Sequence, residues 1–171
     1  MTLVALERVT EQQWDELIDG EHEPWGGGVA ERFSWREKTH NVGIRAPDGR
    51  LLAVAGSVLA DIRVAGHQFA ALGIGALFVA RDARGRGFVA SLLDGLLAQA
   101  DGEDAPGRAM LFCRAQLVGM YGKFGFREIA DPVFAQQPAG PVRMPISAMW
   151  RPLRAGTSWP TGRVDVLGLP F

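Results

Sequence analysis

Two apolar runs joined by one tight turn constrain this chain more than any other feature. Leu51–Val64 and Phe69–Ala80 flank the dipeptide Ala65-Gly66, a pattern that predicts two long strands turned back on each other. The second run leads directly into Arg81-Asp82-Ala83-Arg84-Gly85-Arg86-Gly87. After that turn, residues Phe88–Ala100 place Leu92, Leu93, Leu96 and Leu97 on one helical face. A strand, a basic Gly-bearing turn and an amphipathic helix therefore follow one another without a break.

Around this centre the chain alternates. Residues 3–9 read as a strand, and Thr10 with Gln13 forms a helix-capping box ahead of Trp14, Leu17 and Ile18. Residues 30–38 predict a second short helix, and Asn41–Ala46 a strand closed by Pro47-Asp48-Gly49. Beyond the central helix come a strand at Ala109–Arg114, a short helix at Leu117–Phe124 ended by Gly125, and a strand from Phe126 to Ile129. Seven of the ten prolines fall in the last 40 residues, where only Val142–Trp150 resembles a strand. The order is that of a mixed α/β layer structure. With 171 residues it reads as a single domain over 1–150, with a Pro-rich tail at 151–171 packed on it.

Composition excludes several classes. Net charge is −1, which argues against a nucleic-acid binder. The longest apolar-plus-glycine run, 12 residues, is too short for a membrane span. The N-terminal residues lack a signal-peptide pattern, so a cytoplasmic protein is expected. Cys113 is the only cysteine, and His22, His40 and His67 do not fall at ligand spacing, so no metal is expected.

Two segments can carry chemistry. The turn Arg84-Gly85-Arg86-Gly87-Phe88-Val89 opens a helix, where unpaired amides and partial positive charge form a phosphate cradle. Read alone, it is equally a tight basic turn. It is neither a Walker loop nor a dinucleotide fingerprint. The second segment is Tyr121-Gly122-Lys123-Phe124-Gly125-Phe126. Its tyrosine, the only one in the chain, is either a packing residue or a proton donor, since a phenol stays protonated at neutral pH.

Together these motifs resemble the GNAT family of acetyl-CoA-dependent N-acetyltransferases over residues 3–150. The resemblance implies a GNAT fold: a central mixed, mostly antiparallel sheet flanked by helices, with strands splayed at the acetyl-CoA site. It implies that the backbone of Leu77, Phe78 and Val79 bonds pantetheine and the acetyl carbonyl. The amides of Arg84, Gly85, Arg86, Gly87, Phe88 and Val89 would hold the pyrophosphate, although the family has Gly or Ala where Val89 stands. Tyr121 would protonate the departing CoA sulfur, and a small-molecule amine would attack the thioester directly, leaving Cys113 a buried structural thiol.

Residues 40–94 are similar to the aminoglycoside 2′-N-acetyltransferase branch, through His40, the LLAVAGSV strand, Arg63, Gly66 and the segment Arg84–Asp94. So is the tail around Trp159–Asp165. That branch carries a glutamate as base where this chain has Gly75. The remaining candidates for a base are Asp165, His40, Asp61, Glu21 and Glu23. Substrate contacts are expected from Trp25 and Glu23 in the first loop and from Asp165. The acceptor is expected to be a primary amine on a small cationic molecule. The apolar tail either closes over the acceptor side, covers a sheet edge, or packs on a second copy as a homodimer. A non-catalytic acyl-CoA-binding sensor of the same fold is the alternative function.

Overall fold

The computed structural model describes residues 1–21, 28–98, 102 and 104–171. Strand β1 (Thr2–Leu6) precedes helix α1 (Glu11–Ile18), whose start is fixed by the capping box: Gln13 N donates to Thr10 Oγ1 and Thr10 N to Gln13 Oε1. Helix α2 (Val29–Arg32) is one turn long. Strands β2 (His40–Arg45), β3 (Leu51–Val64) and β4 (His67–Val79) follow. The hairpin between β3 and β4 turns on Ala65 and Gly66, at φ +46° and +88°. Two positive φ values in succession match the right-handed twist of the strands they join. Next come α3 (Phe88–Leu97), β5 (Arg108–Cys113), α4 (Val118–Gly122) and β6 (Arg127–Glu128). Strands β7 (Val133–Gln137), β8 (Gly140–Arg143), β9 (Ser147–Pro152) and β10 (Val164–Val166) complete the order.

Among the described residues the strands form one sheet, ordered β6-β9-β5-β4-β3-β10-β7-β8, with β2 and then β1 on the other stretch of the β3 edge. Pairing is antiparallel except at β4–β5 and β10–β7. This is the mixed, mostly antiparallel sheet expected. One face packs under α3 through Ile74, Leu92, Leu96 and Leu111; the other buries Ile62, Met110, Trp150 and Phe171. A third cluster holds α1 through Leu17, Leu52, Val54 and Phe78.

Two expectations need correction. Residues 33–38 are not helical. Phe33 and Trp35 pack into the same cluster at a spacing of two, which is strand-like spacing, and Arg36 N donates to Pro170 O at 2.7 Å. The region after Asp131 also holds more strand than its prolines indicate. Val142–Trp150 divides into β8 and β9 around Pro145, and β7 and β10 pair with each other. Their partners, not their own pattern, make them strands.

Candidate active site

The site begins where β4 leaves β5. Their parallel pairing covers Leu72, Gly73 and Ile74 against Ala109, Met110 and Leu111, and then stops. Strand β4 continues to Val79 along β3, while Phe112 and Cys113 of β5 continue along β9. The strands therefore splay, opening a wedge beside Gly75–Val79. A bulge coincides with the opening. The β3–β4 register shifts between Val54 and Gly56, and Ala76 has φ +50°. A non-glycine residue in this region is strained, typically by about 1 kcal/mol. The bulge reverses the alternation of β4. Leu77 and Val79 then join Ile74 on the α3 side, and Phe78 packs on the α1 side, edge-on to Trp14 at 6.3 Å between centroids.

The turn after β4 is open to solvent. Gly85 and Gly87 both have φ +78°, and a Cβ at either would meet nothing within 4 Å. Glycine serves here for its backbone conformation and leaves the surface bare. Gly87 caps α3 without a side chain, so the first-turn amides and the positive end of the helix dipole face outward over Phe88 and Val89. Arg84 donates through Nε to Val79 O at 3.1 Å and pairs with Glu21 at 2.6 Å; Arg86 donates to Asp82 O at 3.0 Å. A bare, cationic, amide-rich turn suits a phosphate or pyrophosphate.

Tyr121 lies on α4, buried, its ring 6.0 Å edge-on from Phe126. Gly125, at φ +82°, returns the chain so that Phe126 N donates to Tyr121 O. Burial, and secondarily Cys113, pushes the phenol's pKa upward, so the hydroxyl holds its proton at neutral pH. Burial and the Glu128 charge likewise push the Cys113 thiol up to about 11. A thiol of that kind is a poor nucleophile.

The acceptor candidates disperse. Trp25 and Glu23 lie outside the described residues. Glu21 is engaged by Arg84. His40 is exposed at the start of β2, its ring bonded to Thr39 Oγ1. Asp61 pairs across from Ala70, toward the hairpin end of β3. Asp165 is the clearest departure. Val164 and Val166 are buried, so alternation turns Asp165 to the opposite face, where it pairs with Arg163 at 2.9 Å. Its register partner, Arg63, lies about 20 Å along β3 from Gly56. The structure does not bring Asp165 to the wedge.

The wedge floor is instead covered by residues that the motifs did not indicate. Gly56 and Gly75 are register partners, and Gly73 shares their face. A Cβ at Gly73 would come within 2.6 Å of the Phe171 ring, and one at Gly56 within 2.6 Å of Lys38 Cγ. At Gly75 a Cβ would meet both the main-chain carboxyl carbon of Phe171 (2.6 Å) and Lys38 Cε (2.8 Å). Phe171 and Lys38 thus occupy the space of three missing side chains. The spacing Gly73-x-Gly75 in an apolar strand, marking a bare patch that something must fill, was the available signal.

Lys38 is largely desolvated. Burial, and then the nearby Arg36 charge, lowers its pKa from 10.5 to about 8. The folded state therefore bears the cost of a buried ammonium below pH 8, and the cost fades as pH rises toward 10.5. Lys38→Met keeps the stem and removes the charge. It is expected to raise stability near pH 7 by about 1–2 kcal/mol, allowing for partial solvation. That gain should disappear above the unfolded lysine's pKa, as urea denaturation at neutral and alkaline pH would measure.

Among the described residues, no group of three His, Cys, Asp or Glu could hold a metal ion, and no helix is long and apolar enough to cross a membrane. A family model described as "Acetyltransferase (GNAT) domain" matches residues 6–129. No curated protein matches the chain. Among solved structures, the chain is similar to a GNAT family N-acetyltransferase (YhbS) from Escherichia coli in complex with CoA. The identity is 15%, the TM-score 0.61, and 99% of this chain and 94% of that one are covered. It is also similar to N-acetylglutamate synthase from Neisseria gonorrhoeae complexed with coenzyme A and N-acetyl-glutamate, at 14% identity and TM-score 0.57, covering 90% of this chain and 36% of that one. Escherichia coli ElaA gives 15% identity and TM-score 0.54, with 88% and 98% covered. At these identities the likeness to the structures is one of fold.

Proposed function

Because the chain belongs to the acetyltransferase (GNAT) family, whose model spans residues 6–129, we propose that it transfers acetyl from acetyl-CoA directly to a primary amine of a small cationic molecule. The observation that carries this reading is the wedge between β4 and β5 leading to the bare Gly85–Gly87 turn. A wedge in a sheet exposes strand amides and carbonyls that an extended amide chain such as pantetheine can pair with. In this reading the backbone of Leu77, Phe78 and Val79 takes that chain, and the amides from Arg84 to Val89 take the pyrophosphate. Tyr121 gives its proton to the leaving thiolate.

The amine nitrogen attacks the thioester carbonyl, the carbon–sulfur bond breaks, and no acyl-enzyme forms. Cys113, buried and held as a thiol, fits its exclusion from the chemistry. The similarity of residues 40–94 to the aminoglycoside 2′-N-acetyltransferase branch makes aminoglycosides one class of acceptor to test. Gly75 in place of that branch's glutamate keeps the assignment at the level of a small amine.

Acetyl-CoA at about 100 times its dissociation constant is expected to stabilise the protein by roughly 2.7 kcal/mol, read as a rise in melting temperature. Free CoA should then appear with at least one member of a panel of aminoglycosides, polyamines and peptides with free N-termini. Binding without CoA release from any amine would favour the acyl-CoA sensor. Absence of both stabilisation and binding heat would sink the whole reading.

A further inference from the structure

Acetyl transfer to an amine needs a proton acceptor, because amines of pKa near 10 arrive as ammonium ions. Of the described acids considered for this role, Glu21 is tied to Arg84, Asp61 lies toward the far end of β3, and Asp165 is on the other face with Arg163. The side chain that does reach the wedge is Lys38. We propose that Lys38 is the proton acceptor of the transfer step, a role that rests on the acetyltransferase reading and adds a residue to it.

Three observations point the same way. First, the Lys38 stem crosses the paired glycines Gly56 and Gly75, at the level where β4 leaves β5. Neither strand could carry a side chain there without displacing it. Second, Lys38 Nζ donates to a neutral carbonyl, Arg36 O, at 2.6 Å. Among the described residues no ion pair joins it to a carboxylate within 4 Å. Third, the chain has 16 arginines and only two lysines, one of which stands at this position. A guanidinium cannot give up its proton at working pH, whereas an ammonium can.

The surroundings favour the neutral amine. Desolvation, and then Arg36 on the same segment, brings Lys38 to about 8. β3 and β4 bring Gly56 and Gly75 against its stem, with Asn41 Oδ1 beside it at Gly56 and the main-chain carboxyl end of Phe171 beside it at Gly75. Beyond Thr39, His40 opens β2 with its ring on Thr39 Oγ1.

The step balances as follows. Neutral Lys38 Nζ takes one proton from the acceptor ammonium and later releases it to solvent. The freed amine lone pair attacks the acetyl carbonyl, and the carbon–sulfur bond breaks. Tyr121 gives its proton to the thiolate and recovers one from the acetylated nitrogen. The products are an amide, CoA thiol and one proton in solution.

The test is the pH dependence of kcat/KM, with acetyl-CoA, for wild type, Lys38→Met and Lys38→Arg, using an acceptor from the panel. Wild type should climb to a plateau with a limb near pH 8. Both variants should lose that limb and fall by about 10²-fold or more at pH 8. They should recover as pH approaches the acceptor's own pKa, where the amine arrives neutral. Acetyl-CoA binding, followed by thermal shift, should be unchanged in both. Retention of the limb in either variant overturns the proposal. So does an intact mass showing one acetyl group fixed on Lys38 as activity falls, since Lys38 would then be an acceptor itself. A wild type that binds acetyl-CoA but acetylates no amine would remove the underlying reading, and the proposal with it.

Discussion

Tyr121→Phe is expected to reduce kcat by about 10²- to 10⁴-fold while leaving acetyl-CoA affinity near wild type. The hydroxyl is called on only as sulfur leaves, so its removal is a loss of transition-state stabilisation, with kcat and kcat/KM falling together. Packing is conserved, because the ring that meets Phe126 edge-on is still present. The upward-shifted phenol adds a second expectation. Turnover should show no alkaline limb from tyrosine ionisation anywhere near neutrality. Single-turnover measurement, where chemistry sets the rate, is the appropriate readout. Unchanged turnover would return Tyr121 to the role of a packing residue.

Phe171→Ala should be the most destabilising single change in the tail. Its ring is 2% exposed, lies 5.3 Å from that of Phe112, and fills the floor left by Gly73. Truncating a buried phenylalanine costs roughly 3–5 kcal/mol, because the transfer term and the cavity add. In a domain of this size that corresponds to a fall of about 10 °C in melting temperature. The acceptor Michaelis constant should also rise, since Phe171 lies beside Lys38 over Gly75. Phe171→Leu should recover most of the stability. A melting temperature within about a degree of wild type would show that the tail contributes little to the core.

Much of the framework was legible because its signals are local. Thr10 and Gln13 announce α1 by side chains three residues apart, and the Ala65-Gly66 turn announces the β3–β4 hairpin. The Gly85–Gly87 turn and the Tyr121–Phe126 segment are similarly self-contained. What escaped is non-local. Phe33 is extended, and it and Trp35 pack against the second core cluster at a spacing of two, while the same residues on paper fit a helix. β10 is a strand because β3 and β7 flank it. Asp165 is an acid in an apolar segment, and only the burial of Val164 and Val166 decides which face it takes. Lys38 has no motif. Its significance arises from glycines far away in sequence that the sheet brings together beneath it.

The position of β10 has a consequence for how the chain assembles. It lies between β3 and β7, antiparallel to one and parallel to the other. The β7–β8 hairpin joins the sheet on that side through it. During synthesis, residues 133–143 therefore emerge well before the strand that fastens them to residues 62–64. Ordering so distant a partner incurs loop-closure entropy before any pairing is gained, a slow class of event. Until residues 164–166 arrive, the β3 edge near the hairpin and one edge of β7 are both unpaired, the condition in which nascent strands find wrong partners. The last short strand is thus a folding latch, and its late arrival makes the interval before closure the vulnerable one.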